Sequence, residues 1–290
     1  MFSGTYTAVV TPFKEDGTVD YTRYAEIIER QIEAGITGIV PVGTTGESPT
    51  LTAREHDEVV CKAVEVANKR IKVIAGTGGN STAEALALTK SAIDCGADAS
   101  LQVTPYYNKP TPEGLYRHFS AVADLGLPIV LYNIPGRCSR DIPIDVIERL
   151  ARHPKVVAVK EAGGDVLRVS EIKDVCDLCI LSGDDLLTVP MISVGACGVI
   201  SVASNIIPHE VSQMVKYALG GNFSSALDLH NKYYRLFRDL FVEVNPVPVK
   251  AAMAMMGLIE EVYRLPLCTI SDSSREKLRT TLIESGLLER

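Results

Sequence analysis

Residues 153–185 read HPKVVAVKEAGGDVLRVSEIKDVCDLCILSGDD. Within them Val156–Lys160 is a short β-branched run, Asp165 stands where a helix N-cap belongs, and Cys179–Ser182 is the next apolar run. A run that is apolar along its whole length is a strand buried on both faces. The amphipathic segment between two such runs is the crossover helix of a βαβ unit. The stretch therefore describes a parallel sheet.

The same unit recurs on both sides of this stretch. Strands are expected at Tyr6–Val10, Gly38–Val42, Val73–Ala75, Ala99–Val103, Ile129–Tyr132 and Gly198–Ser201, which with the two above makes eight. Thr52 with Glu55, and Ser81 with Glu84, match the S/T-x-x-E capping box, and Asp20 is a further N-cap. Gly35, Gly96 and Gly126 each stand just before a strand, where a helix end can turn left-handed at little cost. Eight units without a Pro- or Ser-rich linker predict a closed (β/α)8 TIM barrel, with an open doubly wound sheet as the competing arrangement. Beyond residue 201 the periodicity is helical. The expected division is a barrel over 1–221 and a C-terminal helical appendage over 222–290.

The chain has 290 residues, 46% of them apolar, and a formal charge of −7. That charge argues against nucleic acid, whose phosphates need clustered Lys and Arg, and favours a small metabolite as partner. The N-terminal MFSGTYTAVVTPF has no basic segment followed by an apolar one, so no signal peptide is read and the cytoplasm is expected. Residues 186–208 carry no charge, but Pro190, Gly195, Gly198 and Asn205 divide them into pieces too short to span a membrane. This passage would leave an unusually apolar outer helix unless another surface covered it, which points to an oligomer.

Seven cysteines are spread unevenly, and reduced thiols are expected. Cys176 and Cys179 form a C-x-x-C that straddles a helix end and a strand, whereas a redox pair opens a helix. The five histidines show no H-x-H or H-E-x-x-H spacing, so no metal is implied. Gly43-Thr44-Thr45-Gly46 lacks the Gly-Lys-Ser/Thr of a P-loop, and Gly76-Thr77-Gly78-Gly79 lacks the third glycine of a dinucleotide fingerprint, so no cofactor is implied either. Pro246-Val247-Pro248-Val249-Lys250 reads as a rigid turn into a helix.

In a β/α barrel the chemistry lies at the carboxyl ends of the strands, so an ionisable residue closing an apolar strand is a functional candidate. Lys160 is the sharpest, because Val156–Val159 delivers its amine to a desolvated position where the pKa falls and the free base can attack a carbonyl. The competing reading is a structural lysine paired with Glu161. Tyr132 lies 28 residues earlier, about one βαβ repeat, which places it at equal height on the neighbouring strand. A phenol there can shuttle protons for the amine. Thr44 and Thr45 after the second strand, and Tyr107 after the fourth, add hydroxyls to the same mouth.

Six segments carry a resemblance to the dihydrodipicolinate synthase family over nearly the whole chain: Gly43–Ser48, Val103–Asn108, Tyr132–Arg137, Val159–Ala162, Ser182–Asp185 and Asn245–Lys250. The resemblance implies that Lys160 forms a Schiff base with pyruvate, whose enamine then attacks L-aspartate 4-semialdehyde to give 4-hydroxy-tetrahydrodipicolinate, on the route to diaminopimelate and lysine. It implies a proton relay of Thr44, Tyr132 and Tyr107, the last reaching in from a neighbouring subunit. Thr45 would hold the pyruvate carboxylate, Gly183 and Ile200 would contribute backbone groups, and Arg137 would bind the semialdehyde carboxylate. Cys138 follows where many relatives have threonine or serine. The resemblance also implies a homotetramer built as a dimer of dimers.

A feedback site for L-lysine is implied at Ser48, His56, Asn80, Glu84 and Tyr106, weakened by Ala53 and Pro49 where the enteric bacterial enzymes carry histidine and alanine. Two other functions compete. One is a related 2-oxo-acid aldolase, such as a sialic acid or 2-keto-3-deoxy sugar acid lyase; the other is a non-catalytic sensor on the same scaffold.

Overall fold

The computed structural model describes residues 2–289. Its first half alternates β1 (Gly4–Ala8), α1 (Tyr21–Glu33), β2 (Gly38–Val40), α2 (Ala53–Ala67), β3 (Lys72–Gly76), α3 (Thr82–Cys95), β4 (Ala99–Val103) and α4 (Pro112–Ala123). Then come β5 (Ile129–Asn133), a one-turn helix α5 (Pro135–Cys138), α6 (Ile144–Ala151), β6 (Val156–Glu161), α7 (Leu167–Val175), β7 (Cys179–Ser182), α8 (Thr188–Ser193) and β8 (Gly198–Ser201). Helices α9 (Pro208–Leu219), α10 (Phe223–Asp239), α11 (Val247–Met255) and α12 (Asp272–Glu284) complete the chain.

All eight strands are parallel and close into a barrel, in agreement with the expected fold class and against an open sheet. Closure is made by β1 against β8, from Gly4 opposite Gly198 to Thr7 opposite Ser201. Gly198 has φ +150°, and a Cβ there would stand 1.9 Å from the Gly4 carbonyl oxygen, so the seam closes only on glycine. Inside the barrel, Tyr6, Val40, Ile74, Leu101, Val130, Leu181 and Ile200 fill the axis. Two further clusters lie between the strands and the helices. Each fully buried aliphatic side chain contributes about 1.5–3 kcal/mol relative to exposure, so this packing dominates the folding free energy.

Several local expectations are met. Asp20 caps α1 through the amides of Thr22 and Arg23, and Thr52 with Glu55 forms the full capping box of α2. Gly35, Gly96 and Gly126 all take positive φ. Cys176 ends α7 and Cys179 opens β7, so this C-x-x-C is not the start of a helix. Pro246 caps α11 as the turn predicted. Among the described residues, no helix is long and apolar enough to cross a membrane.

Other expectations need correction. The side chain of Ser81 makes no capping bond to α3, and the Glu84 carboxylate lies against Gly79. Asp165 accepts from the Leu167 amide, but Val166 occupies the cap position. Not all thiols are reduced: Cys61 on α2 and Cys95 at the end of α3 face each other with Cα atoms 4.9 Å apart and form a disulfide. The apolar outer helix is α8, and its Val189, Met191 and Ile192 are buried in the same cluster as residues of α9 and α10. The chain covers this helix itself, so the uncharged passage gives no support for an oligomer.

Candidate active site

Lys160 closes β6 inside the barrel and is 6% exposed. It pairs directly with Tyr132 across β5 and β6, as the spacing of 28 residues predicts. Its Nζ lies 4.2 Å from the centre of the Tyr132 ring. Glu161 does not neutralise it: that carboxylate accepts from Asn133, the Gly163 amide and Arg168. Among the described residues no carboxylate oxygen stands within ion-pair distance of Lys160. Burial lowers the amine from 10.5 to about 7, with Asp185 opposing that shift and Arg137 assisting it. An ordinary lysine is almost wholly protonated at neutral pH, and the downward shift moves this amine toward the free base.

Gly183 explains how the chain makes room for that amine. A Cβ at this position would lie 2.6 Å from the Ala162 Cβ and 3.1 Å from the Lys160 Cε. Its amide donates to the Glu161 carbonyl and fixes the turn after β7. Next to it, Asp185 is fully buried and accepts from the amides of Val202 and Ala203 through Oδ2. Its Oδ1 has no protein partner. Burial pushes its carboxyl up, while hydrogen bonds from Ser201 and the backbone hold it down.

Tyr132 supplies the second group. Burial raises its phenol to about 12, against the pull of the Arg137 charge and of the neighbouring Thr44 side chain. Thr44 and Thr45 lie in a tight turn closed by Gly46 N to Gly43 O at 3.1 Å and Glu47 N to Thr44 O at 3.1 Å. The turn is entered through Val42 at φ +48°, a strained conformation for a β-branched residue. Thr45 Oγ1 accepts from Asn245 Nδ2 at 3.0 Å. Arg137, on the short helix after β5, donates from Nη2 to the Asn245 carbonyl at 2.9 Å.

These groups surround a chamber of about 50 Å³ lined by Thr44, Thr45, Tyr132, Arg137, Lys160 and Gly183. Thr44, Tyr132 and Arg137 also line an adjoining cavity of about 200 Å³ whose walls include Ser48 and Tyr106. A small chamber with an amine at its base thus lies beside a larger vestibule. The expected hydroxyls, amine and guanidinium are brought together here, with two exceptions. Tyr107 lines neither cavity and is 91% exposed at φ +70°. The Ile200 side chain is packed in the barrel interior.

Of the residues of the expected lysine site, two line a described cavity. Ser48 and Tyr106 face the vestibule. His56 is buried, with Nε2 at 2.9 Å from the Gly76 carbonyl and Nδ1 without a partner. The Asn80 carbonyl accepts from Asn108, and Glu84 is close enough to Tyr106 to raise its phenol, after the larger effect of burial. Asp185 and Asn245 lie in the segments Ser182–Asp185 and Asn245–Lys250, and only the structure shows their contacts with the Val202 and Ala203 amides and with Thr45. An acidic residue one step past a strand end is the signal that singles out Asp185.

The model of the dihydrodipicolinate synthetase family matches residues 1–285. The chain belongs to this family. The 4-hydroxy-tetrahydrodipicolinate synthase of Sulfurihydrogenibium sp. (strain YO3AOP1) is 54% identical, with all of both chains covered. Dihydrodipicolinate synthase from Acinetobacter baumannii, described as chloride inhibited and complexed with pyruvate, is 46% identical, with a TM-score of 0.97 over 99% of this chain and all of that one. The family member from Cyanidioschyzon merolae, with lysine bound, is 41% identical at a TM-score of 0.96 over 99% of each chain.

Proposed function

We propose that the chain catalyses the 4-hydroxy-tetrahydrodipicolinate synthase reaction, the condensation of pyruvate with L-aspartate 4-semialdehyde. The observation that carries this reading is the buried Lys160 amine, its pKa lowered by burial, lying over the Tyr132 ring in a chamber of small volume. The free amine attacks C2 of pyruvate, and proton transfer to the departing oxygen releases water and leaves an iminium ion. Loss of a proton from C3 gives the enamine, whose C3 forms the new bond to the aldehyde carbon. The amino group of the second substrate then attacks the iminium carbon, closes the ring and releases Lys160.

Tyr132 and Thr44 are placed to move those protons, since both line the chamber that holds the amine. Thr45 is assigned to the pyruvate carboxylate, with the Gly183 and Ile200 backbone completing the chamber. Arg137 is assigned to the semialdehyde carboxylate because it faces both the chamber and the vestibule.

Turnover with pyruvate plus aspartate semialdehyde, measured against N-acetylneuraminate and 2-keto-3-deoxy sugar acids, tests the assignment. Little activity with the semialdehyde and ready cleavage of a sugar acid contradicts it. Arg137→Ala is expected to raise KM for the semialdehyde by roughly 10–100-fold, the scale of one lost charge-assisted contact. Removing that positive charge also favours the Lys160 ammonium, so the acid limb of the pH profile moves to higher pH. Unchanged constants for both substrates contradict the role.

The exposed Tyr107 supports assembly, because a phenol standing in solvent at the barrel mouth is placed to enter a neighbouring copy's site. A dimer of dimers is the assembly we assign, and the cytoplasm is its expected location. Lysine is assigned to the region of Ser48, Tyr106, Glu84 and Asn80, with His56 buried behind it, where the Glu84 carboxylate suits its ammonium. With Ala53 and Pro49 in place, binding in the millimolar range is expected by calorimetric titration. The absence of both heat and inhibition at such concentrations rejects the site.

A further inference from the structure

Glu47 and Lys250 form an ion pair whose two side chains are both 0% exposed, and the chemistry above uses neither. Removing two charges from water costs several kcal/mol, so a pair this deep carries a cost that its own attraction need not return. Its position indicates what it achieves. Glu47 ends the turn that carries Thr44 and Thr45, and it holds a left-handed φ of +55°, unfavourable for any residue with a Cβ. Lys250 projects from α11 with its Nζ 4.3 Å from the centre of the Phe13 ring, and Arg264 lies 4.5 Å from the same ring.

Other ties run between the same two parts of the chain. Asn245 donates to Thr45 Oγ1, and the Arg264 amide donates to Glu47 Oε2 at 3.5 Å. The Arg264 guanidinium reaches the Thr50 and Gly17 carbonyls and both oxygens of Glu55. From the barrel side, Thr11 Oγ1 donates to the Gly46 carbonyl at 2.7 Å. The hydroxyl-bearing turn is thus clamped between the barrel and the segment 245–264, about two hundred residues away in sequence.

We propose that the Glu47–Lys250 pair is a positioning latch that holds the Thr44 and Thr45 hydroxyls over Lys160, so that the C-terminal helices set the active-site geometry without touching substrate. The inference rests on the roles given above to Thr44 and Thr45. Without the pair, Glu47 loses the contact that offsets its left-handed backbone, and the turn relaxes with both hydroxyls. Displacement of a positioning group by about 1 Å is enough to lower a rate by roughly a hundredfold.

Lys250→Met strands a buried carboxylate and is expected to fold poorly, so the test rests on two other variants. E47Q/K250M replaces the pair with neutral groups of similar volume, a change that commonly leaves stability intact. E47D keeps both charges but shortens the arm that holds the turn. The latch predicts that both variants keep Tm near that of the wild type while kcat/KM for pyruvate falls, by about a hundredfold in the double variant. Borohydride-trapped pyruvyl adduct on Lys160 forms more slowly by the same factor, and the midpoint of its pH dependence stays near 7 because the charges that bear on the amine, Asp185 and Arg137, are untouched.

A purely structural pair predicts that Tm and kcat/KM recover together in E47Q/K250M, and that E47D is kinetically normal. Wild-type constants in a folded E47D, or in the folded double variant, overturn the latch. Failure of the functional reading itself is separate, since it shows as no pyruvyl adduct on Lys160 in the wild-type protein.

Discussion

Lys160→Ala is expected to lower kcat for the condensation by roughly 10⁴-fold or more, the scale of removing a covalent nucleophile, with little change in Tm. The amine is the one group in the chamber whose environment has been shifted toward the reactive form. Burial brings it to about 7, and the opposing influence of Asp185 keeps it from falling further. Reactivity should therefore rise as pH increases through about 7 and level off above it, because attack needs the free base and the fraction of free base saturates there. Lys160→Arg retains a cation but cannot form the imine, so it should be as inactive as the alanine variant. Steady-state kinetics together with a thermal melt check both parts. A variant at position 160 that retains a tenth of wild-type turnover contradicts the assignment.

Tyr132→Phe is expected to lower kcat by about 10²–10⁴-fold, the usual range for a positioned proton donor, with KM for pyruvate changed little. Phenylalanine keeps the ring against which the Lys160 Nζ lies, so burial of the amine and its lowered pKa persist. What disappears is the hydroxyl that shares the chamber with Thr44. Adduct formation slows because water must leave the carbinolamine without a placed acid. The pH midpoint for adduct formation should stay near that of the wild type, which separates loss of a proton donor from loss of the amine's environment. A kcat within threefold of wild type removes Tyr132 from the relay.

The barrel was readable because its strands are nearly all apolar and its helices lie between them at regular intervals. The predicted strands at Ala99–Val103, Cys179–Ser182 and Gly198–Ser201 match the observed ones end for end. Two others run past their true ends. Val9 and Val10 are fully buried but lie beyond β1, and Val42 leaves β2 at positive φ. A β-branched valine argues for a strand in any local reading, and only the crowded turn after it forces the other conformation. Local pattern also pairs Ser81 with Glu84, whereas the Glu84 carboxylate lies against Gly79 and Ser81 makes no capping bond.

The site was legible to the extent that the topology dictates it. Residues at strand ends share one mouth, so Thr44, Tyr132 and Lys160 could be brought together from spacing alone. Groups acting through distant contacts could not. Asn245 meets Thr45 across 200 residues and Lys250 meets Glu47 across 203, and no periodicity encodes either pairing. The burial of α8 beneath α9 and α10 is invisible for the same reason, and an apolar helix was consequently read as a surface awaiting a partner. Helices packed over a barrel are a tertiary fact, and they decide which apolar faces remain open.

Reduction with borohydride in the presence of pyruvate, followed by peptide mapping, tests the central claim most directly. The predicted result is a single pyruvyl adduct on Lys160 in wild-type protein, its formation rising with pH around a midpoint near 7 and lost in Lys160→Ala. An unmodified protein, or an adduct mapped to another lysine, contradicts the account.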